Sequence, residues 1–197
     1  MSGDAPNVFA GRLDRLSSLI ERFRVHATIV CPDQVAVPPA NFCVFRSVSG
    51  ALRLVFSPRQ NSDNRPIEAG EIGETLVVAA CIEITGAGDR LILALPHSIA
   101  VDLADVPDLR TMVEPLVDEI TQPRCGGQAI FHRLCEIVVI RLLRHSIEYG
   151  GANVGLLAGL SHPRLARALV GVHERPEHTW TLENLADEAG MSRTQFA

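Results

Sequence analysis

The spacing of apolar positions changes near residue 26 and again near residue 107, dividing the chain into three stretches of different expected structure. Residues 11 to 24 carry Leu13, Leu16, Leu19, Ile20 and Phe23 at helical spacing, with Asp14, Arg15, Glu21 and Arg22 between them. A short amphipathic helix is expected there. From about 26 to 103 the apolar runs are short and β-rich: ATIVC, FCVFRSV, ALRLVF, TLVVAACIEI and RLILAL. Turn formers separate them at Pro38 and Pro39, Ser49 and Gly50, Asn61 to Pro66, and Gly86 to Asp89. This pattern predicts a small antiparallel sheet or barrel. The polar stretch from Pro58 to Gly73 reads as a long loop.

Beyond Pro107 the period becomes helical. One helix is expected over 108–121 and a second over 126–149. The second carries Phe131, Leu134, Cys135, Val138, Val139, Leu142 and Leu143, and also Ile130 and Ile137, a stripe wider than one packing face uses. Such a helix either lies between the β-region and other helices or pairs with a second copy of the chain. Short helices are expected over 153–159 and 163–174, and Pro176 breaks the chain after them.

Trp180 to Ala197 (WTLENLADEAGMSRTQFA) has the pattern of a helix-turn-helix that begins and then stops. Leu182, Leu185 and Ala186 are helically spaced after Thr181. Gly190 falls where the turn needs a residue free to adopt positive φ. Ser192 is a natural N-cap for a following helix.

Composition narrows the class. Apolar residues make up 47% of 197, as in folded proteins rather than disordered ones. The net charge is −5, so the chain as a whole is not an electrostatic partner for nucleic acid. All 18 basic residues are arginine. The N-terminus lacks the apolar core of a secretion signal, and no apolar run is long enough to span a bilayer, so a cytoplasmic protein without a membrane partner is expected.

Candidate chemistry is sparse. Cys31, Cys43, Cys81, Cys125 and Cys135 form no CxxC pair and no zinc-ligand spacing. No nucleophile elbow, phosphate loop or framed carboxylate pair appears, so no catalytic residue, metal site or cofactor is assigned. His132 and Glu136 are spaced as an ordinary i,i+4 polar pair on a helix, and His145 completes no ligand set. His26 and His97 flank the β-region, where they read as surface or hydrogen-bonded core residues. Asp102, Asp105 and Asp108 read as a solvated turn able to cap the helix after Pro107.

Residues 155 to 197 resemble the start of the AraC/XylS-type DNA-binding domain. The resemblance rests on His162 to Leu165, Ala168 and Leu169, His173, Pro176, Trp180 and Thr181, Leu185 and Ala186, Gly190 to Arg193, and Gln195 to Ala197. It implies a transcription regulator whose first recognition helix opens at Ser192, Arg193, Thr194 and Gln195. The remainder of that helix and the second helix-turn-helix unit of such domains are not encoded. Residues 160 to 197 also hold four arginines against five carboxylates. Operator binding by this chain alone is therefore expected to be weak or absent.

The segments 74–103 and 125–148 resemble the closing strands and the connecting helix of the cupin-type sensors found in one branch of that family. The implied fold is α+β: a cupin-like sheet or barrel over 1–105, a helical dimerisation region over 106–152, and a partial helix-turn-helix over 160–197. No His-x-His is present, and only Glu68 to Gly73 echoes the mid-barrel motif, so neither a metal site nor a full ligand pocket is carried over. The resemblance implies a homodimer through 126–149 and an unknown small-molecule or oxidant signal. For an oxidant, a pair among Cys31, Cys43 and Cys81 is the candidate redox switch; the favoured alternative is that the three are small buried hydrophobes. An alternative role is a non-DNA-binding module that forms mixed dimers with a full-length regulator. A cupin-type enzyme is a third reading, the least supported because metal ligands are missing.

Overall fold

The computed structural model describes residues 23–30, 40–59, 71–86, 95–149 and 156–197. Five antiparallel strands form one sheet: β1 (Phe23–Ile29), β2 (Phe42–Arg46), β3 (Leu52–Phe56), β4 (Thr75–Gly86) and β5 (Ile99–Asp102), in the order β1-β4-β2-β3-β5. β4 is the long central strand. It pairs β1 with Ala27 opposite Ile82, and β2 with Val44 opposite Val78. The β2–β4 register shifts between Val44 and Phe45, where Phe45 lies opposite Leu76 and Val77 is the extra residue on β4.

Alternation along these strands creates two faces. One carries Phe42, Val44, Leu54, Phe56, Val78 and Ile82, all buried against the helices. The other carries Cys43, Phe45 and Val55 in a smaller buried cluster with Ala40 and Ala79 packed against it.

Among the described residues six helices follow: α1 (Pro107–Thr121), α2 (Gly127–Glu148), α3 (Leu156–Ser161), α4 (Leu165–Glu174), α5 (Leu182–Ala189) and α6 (Arg193–Phe196). α1 buries Leu109, Val113, Leu116 and Val117, and α2 buries Phe131, Cys135, Val138, Val139, Leu142 and Leu143. These side chains share one core with the sheet and with Leu160 of α3. The wide stripe on α2 is thereby explained in part, because one helix meets α1, β1 and α3 together. Ile130 and Ile137 remain 46% and 40% exposed.

Several expectations change. The helix over 11–24 lies outside the described residues except for Phe23 and Arg24, which instead open β1, where Phe23 pairs with Gly86. β1 therefore begins four residues before ATIVC. The strand expected over 90–95 lies outside the described residues apart from Leu95, which is buried but not in a strand. β5 has no apolar run of its own but falls within 74–103, the segment that resembles closing strands. Asp102 does form a turn, its Oδ1 accepting from the Ala104 amide at 2.9 Å. No aspartate caps α1: the N-cap is Val106, without a side-chain bond, and Pro107 starts the helix.

Candidate sensor face and helix pair

The second face of the sheet is the candidate sensor surface. Cys43 lies opposite Ala79, and Cys81, two residues further along β4, points to the same side. Diagonal neighbours of this kind lie roughly 7–8 Å apart, beyond the separation of about 7 Å that a disulfide spans without backbone movement. Cys43 and Cys81 are both buried and form no disulfide. Burial pushes the Cys43 thiol up to about 11, and that of Cys135 in the main core to about 12. Cys31 lies outside the described residues. Cys125, in the loop between α1 and α2, is exposed.

Two polar features frame this face, and sequence reasoning singled out neither. The buried Asn41 side chain acts as an extra rung of the ladder. Its Nδ2 donates to the Ile82 carbonyl at 2.8 Å, and its Oδ1 accepts from the Ile82 amide at 2.7 Å. Arg53 donates through Nε to Glu74 Oε1 at 2.8 Å and through Nη2 to Glu74 Oε2, while its guanidinium lies 5.2 Å from the centre of the Phe45 ring. The Arg53 hydrogen bond holds the Glu74 carboxyl below its ordinary value, and the reciprocal bond raises Arg53.

The histidines form no common cluster, though two of them meet. His26 packs its ring 5.5 Å from His132, joining β1 to α2, and Phe131 meets His132 edge-on. His97 lies 3.5 Å from Arg59 Nη1, and His145 stacks on Tyr149. Among the described residues no group of three or more His, Cys, Asp or Glu side chains is placed to hold a metal ion.

The C-terminal helices are built from local signals. Thr181 caps α5 reciprocally: its Oγ1 accepts from the Asn184 amide at 3.1 Å, and Asn184 Oδ1 accepts from the Thr181 amide at 3.4 Å. Gly190 ends α5 at φ 61, and its amide donates back to Asp187. Ser192 is extended and starts α6, with Gln195 Oε1 accepting from its amide at 3.3 Å. Ser192, Arg193, Thr194 and Gln195 are thus together on one exposed turn. Arg193 is bridged to Glu183 of α5 at 2.9 Å, so the single arginine of this turn is partly neutralised.

α4 fixes this pair. Arg175 bridges to Glu188 at 3.0 Å and lies 4.8 Å from the centre of the Trp180 ring, whose Nε1 donates to the Arg175 carbonyl. Gly171 sits under this cluster: a Cβ there would come within 3.2 Å of Arg175, Glu188 and Trp180 atoms. Arg164 donates to the Gly190 carbonyl and ties the start of α4 to the turn.

A protein-family model described as Cupin matches residues 28–148. The chain is similar to the HTH-type transcriptional regulator AlkR of Acinetobacter baylyi, 40% identical over 114 residues, covering 56% of this chain and 37% of that protein. It is similar to an uncharacterized HTH-type transcriptional regulator of Haemophilus influenzae, 30% identical over 109 residues, 55% of this chain and 36% of the relative. It also resembles the RCS-specific HTH-type transcriptional activator RclR of Escherichia coli, 28% identical over 144 residues, 70% of this chain and 50% of the relative. The chain thus spans between about a third and a half of the length of these relatives. No solved structure matches it.

Proposed function

This chain belongs to the cupin family, its relatives are AraC-like helix-turn-helix transcription regulators, and from that premise we propose that it is the sensing and dimerising part of such a regulator, joined to the opening of a DNA-reading module. One observation carries the reading. A Thr181-capped helix, a left-handed Gly190 and a Ser192-started helix follow one another, placing Arg193, Thr194 and Gln195 on an exposed turn. That is the order of elements with which a helix-turn-helix presents its recognition helix to the major groove.

In this reading residues 1–105 receive the signal, 106–152 dimerise and transmit it, and 160–197 open the reading head. A ligand or oxidant that binds one arrangement of the sheet and helices more tightly shifts the population toward it and so repositions α5 and α6 in each protomer. The exposed Ile130 and Ile137, two turns apart on α2, supply an apolar strip for a second copy. The same strip serves the alternative of a mixed dimer with a full-length regulator. The family resemblance supports a cytoplasmic regulator rather than an enzyme. No helix of the described residues is long and apolar enough to cross a membrane.

DNA contact by α6 alone is weak in this account, because one bridged arginine neutralises few phosphates. A gel-shift against a library of duplexes gives no selected sequence at micromolar protein. Selection of one sequence with nanomolar affinity would contradict the account of a weakly contacting α6.

A further inference from the structure

Among the described residues β5 is an edge strand with no neighbour on its outer side. The Leu103 amide donates to the Leu52 carbonyl at 3.0 Å, which places the odd-numbered residues of this strand in the bonded pairs with β3. The alternation turns the N–H and C=O of Ala100 and the N–H of Asp102 away from the sheet. Among the described residues none of these three groups has a hydrogen-bond partner, and the side chains of Ala100 and Asp102 are exposed. Such a row of groups is a template for another strand.

The last turns of α2 run alongside this edge and make it a trough. Two adjoining hollows of about 450 and 250 Å³ share Ala100, Val101, His145 and Tyr149 as walls. Tyr149 is 76% exposed, and its ring lies 4.8 Å from that of His145, giving an aromatic wall in reach of solvent. His145 Nδ1 is buried on this wall without a hydrogen-bond partner.

The charges along the trough select the occupant. Asp102, Asp105, Asp108 and Glu148 line it against Arg141 and Arg144. Arg141 lies 3.6 Å from Asp108, and that pair cancels. Three carboxylates then face one guanidinium.

We propose that the edge of β5 and the end of α2 form a docking groove for an extended, basic peptide segment of a partner protein, which adds as a strand to Ala100 and Asp102 and sets its cationic side chains among Asp102, Asp105 and Glu148. Strand addition draws affinity from main-chain bonds and specificity from alternate side chains, and both halves of that recognition are present here. The groove abuts the end of α2, the helix that leads toward α3, so an occupant would press on the path from the sheet to the C-terminal helices.

The test uses an acetylated, amidated Val-Arg-Val-Arg-Val peptide carrying a fluorophore and read by anisotropy with the whole chain. Binding is expected to fall about tenfold or more when alternate peptide amides are N-methylated, and likewise when glutamate replaces arginine in the peptide. Ala100→Pro is expected to abolish binding with the melting temperature unchanged, since that N–H is outside the ladder and proline is tolerated at such edge positions. D105N combined with E148Q is expected to weaken binding about tenfold and to make it less sensitive to salt. Backbone-amide exchange at Ala100 and Asp102 should slow in the complex. Lack of peptide binding by the folded chain would overturn the proposal. So would equal binding of the glutamate peptide, or self-association that A100P removes, which would identify the occupant as a second β5.

Discussion

Asn41 and Ile82 are joined by a two-point hydrogen bond in which the carboxamide of one completes the backbone pairing of the other, at 2.8 and 2.7 Å. The Asn41 backbone continues the same contact, its amide donating to Ala80 and its carbonyl accepting from Ser57. One residue thereby ties β4 to the entry of β2 and the exit of β3. Asn41→Ala leaves the N–H and C=O of Ile82 unpaired in a buried site. Such a loss costs about 1–3 kcal/mol for each unsatisfied group. Urea denaturation should show a drop of about 2–6 kcal/mol with the slope unchanged. A change below about 0.5 kcal/mol would mean that the two groups find other partners.

Arg53 and Glu74 give the sheet an acid-sensitive clasp. The Glu74 carboxyl lies below its ordinary value of 4.5 in the folded chain, chiefly because Arg53 donates to it. Its contribution is therefore complete above 4.5 and disappears as pH falls through the lower, folded value. The pair is partly open to solvent, so the effect is below about 1 kcal/mol. Glu74→Gln should lower stability at pH 7 by that amount, and the difference should shrink as pH falls below 4.5. A difference that persists undiminished at pH 3 would show that packing, not charge, is involved.

Thiol reactivity should sort by burial. Cys125 is exposed, whereas burial has pushed Cys43 to about 11, some two units above its ordinary value. The thiolate fraction of Cys43 near neutral pH falls about a hundredfold, and its alkylation slows accordingly. Brief iodoacetamide treatment followed by mass spectrometry should label Cys125 and spare Cys43 and Cys135. Labelling of Cys43 as fast as Cys125 would require an opening of the sheet face and would strengthen the case for a redox pair with Cys81.

The exposed isoleucines of α2 predict self-association. Ile130→Glu with Ile137→Glu places like charges on the strip and should shift the chain from dimer to monomer in sedimentation at micromolar concentration. Circular dichroism should be unchanged, because neither side chain belongs to the core cluster. A parent chain that is already monomeric at that concentration would end the dimer proposal.

The helical half was the more legible in sequence, for a local reason. α2, α4 and α5 announce themselves by spacing, and the Gly190 turn and Ser192 start are fixed by backbone preferences within a few residues. The sheet was less so. Phe23 fits the helical stripe begun at Leu13, yet its pairing with Gly86 makes it a strand residue, a choice decided far away in sequence. β5 alternates exposed Ala100 and Asp102 with Val101, which looks like a loop until β3 is beside it. Asn41 reads as a turn residue before FCVFR, and only the approach of β4 turns it into a rung. The trough between β5 and α2 has no sequence signal, since it exists only where the two elements meet.

The central claim is that α5 and α6 open a DNA-reading module, and residue-resolved NMR tests it directly. The ¹⁵N-labelled chain is titrated with a random-sequence duplex at low salt, where non-specific contacts are tighter than the roughly 10⁻⁴ to 10⁻⁶ M typical of physiological salt. Shifts should appear at Ser192, Arg193, Thr194 and Gln195, vanish on adding salt, and diminish in Arg193→Ala. An undisturbed spectrum at millimolar DNA, or shifts confined to the sheet, would contradict it.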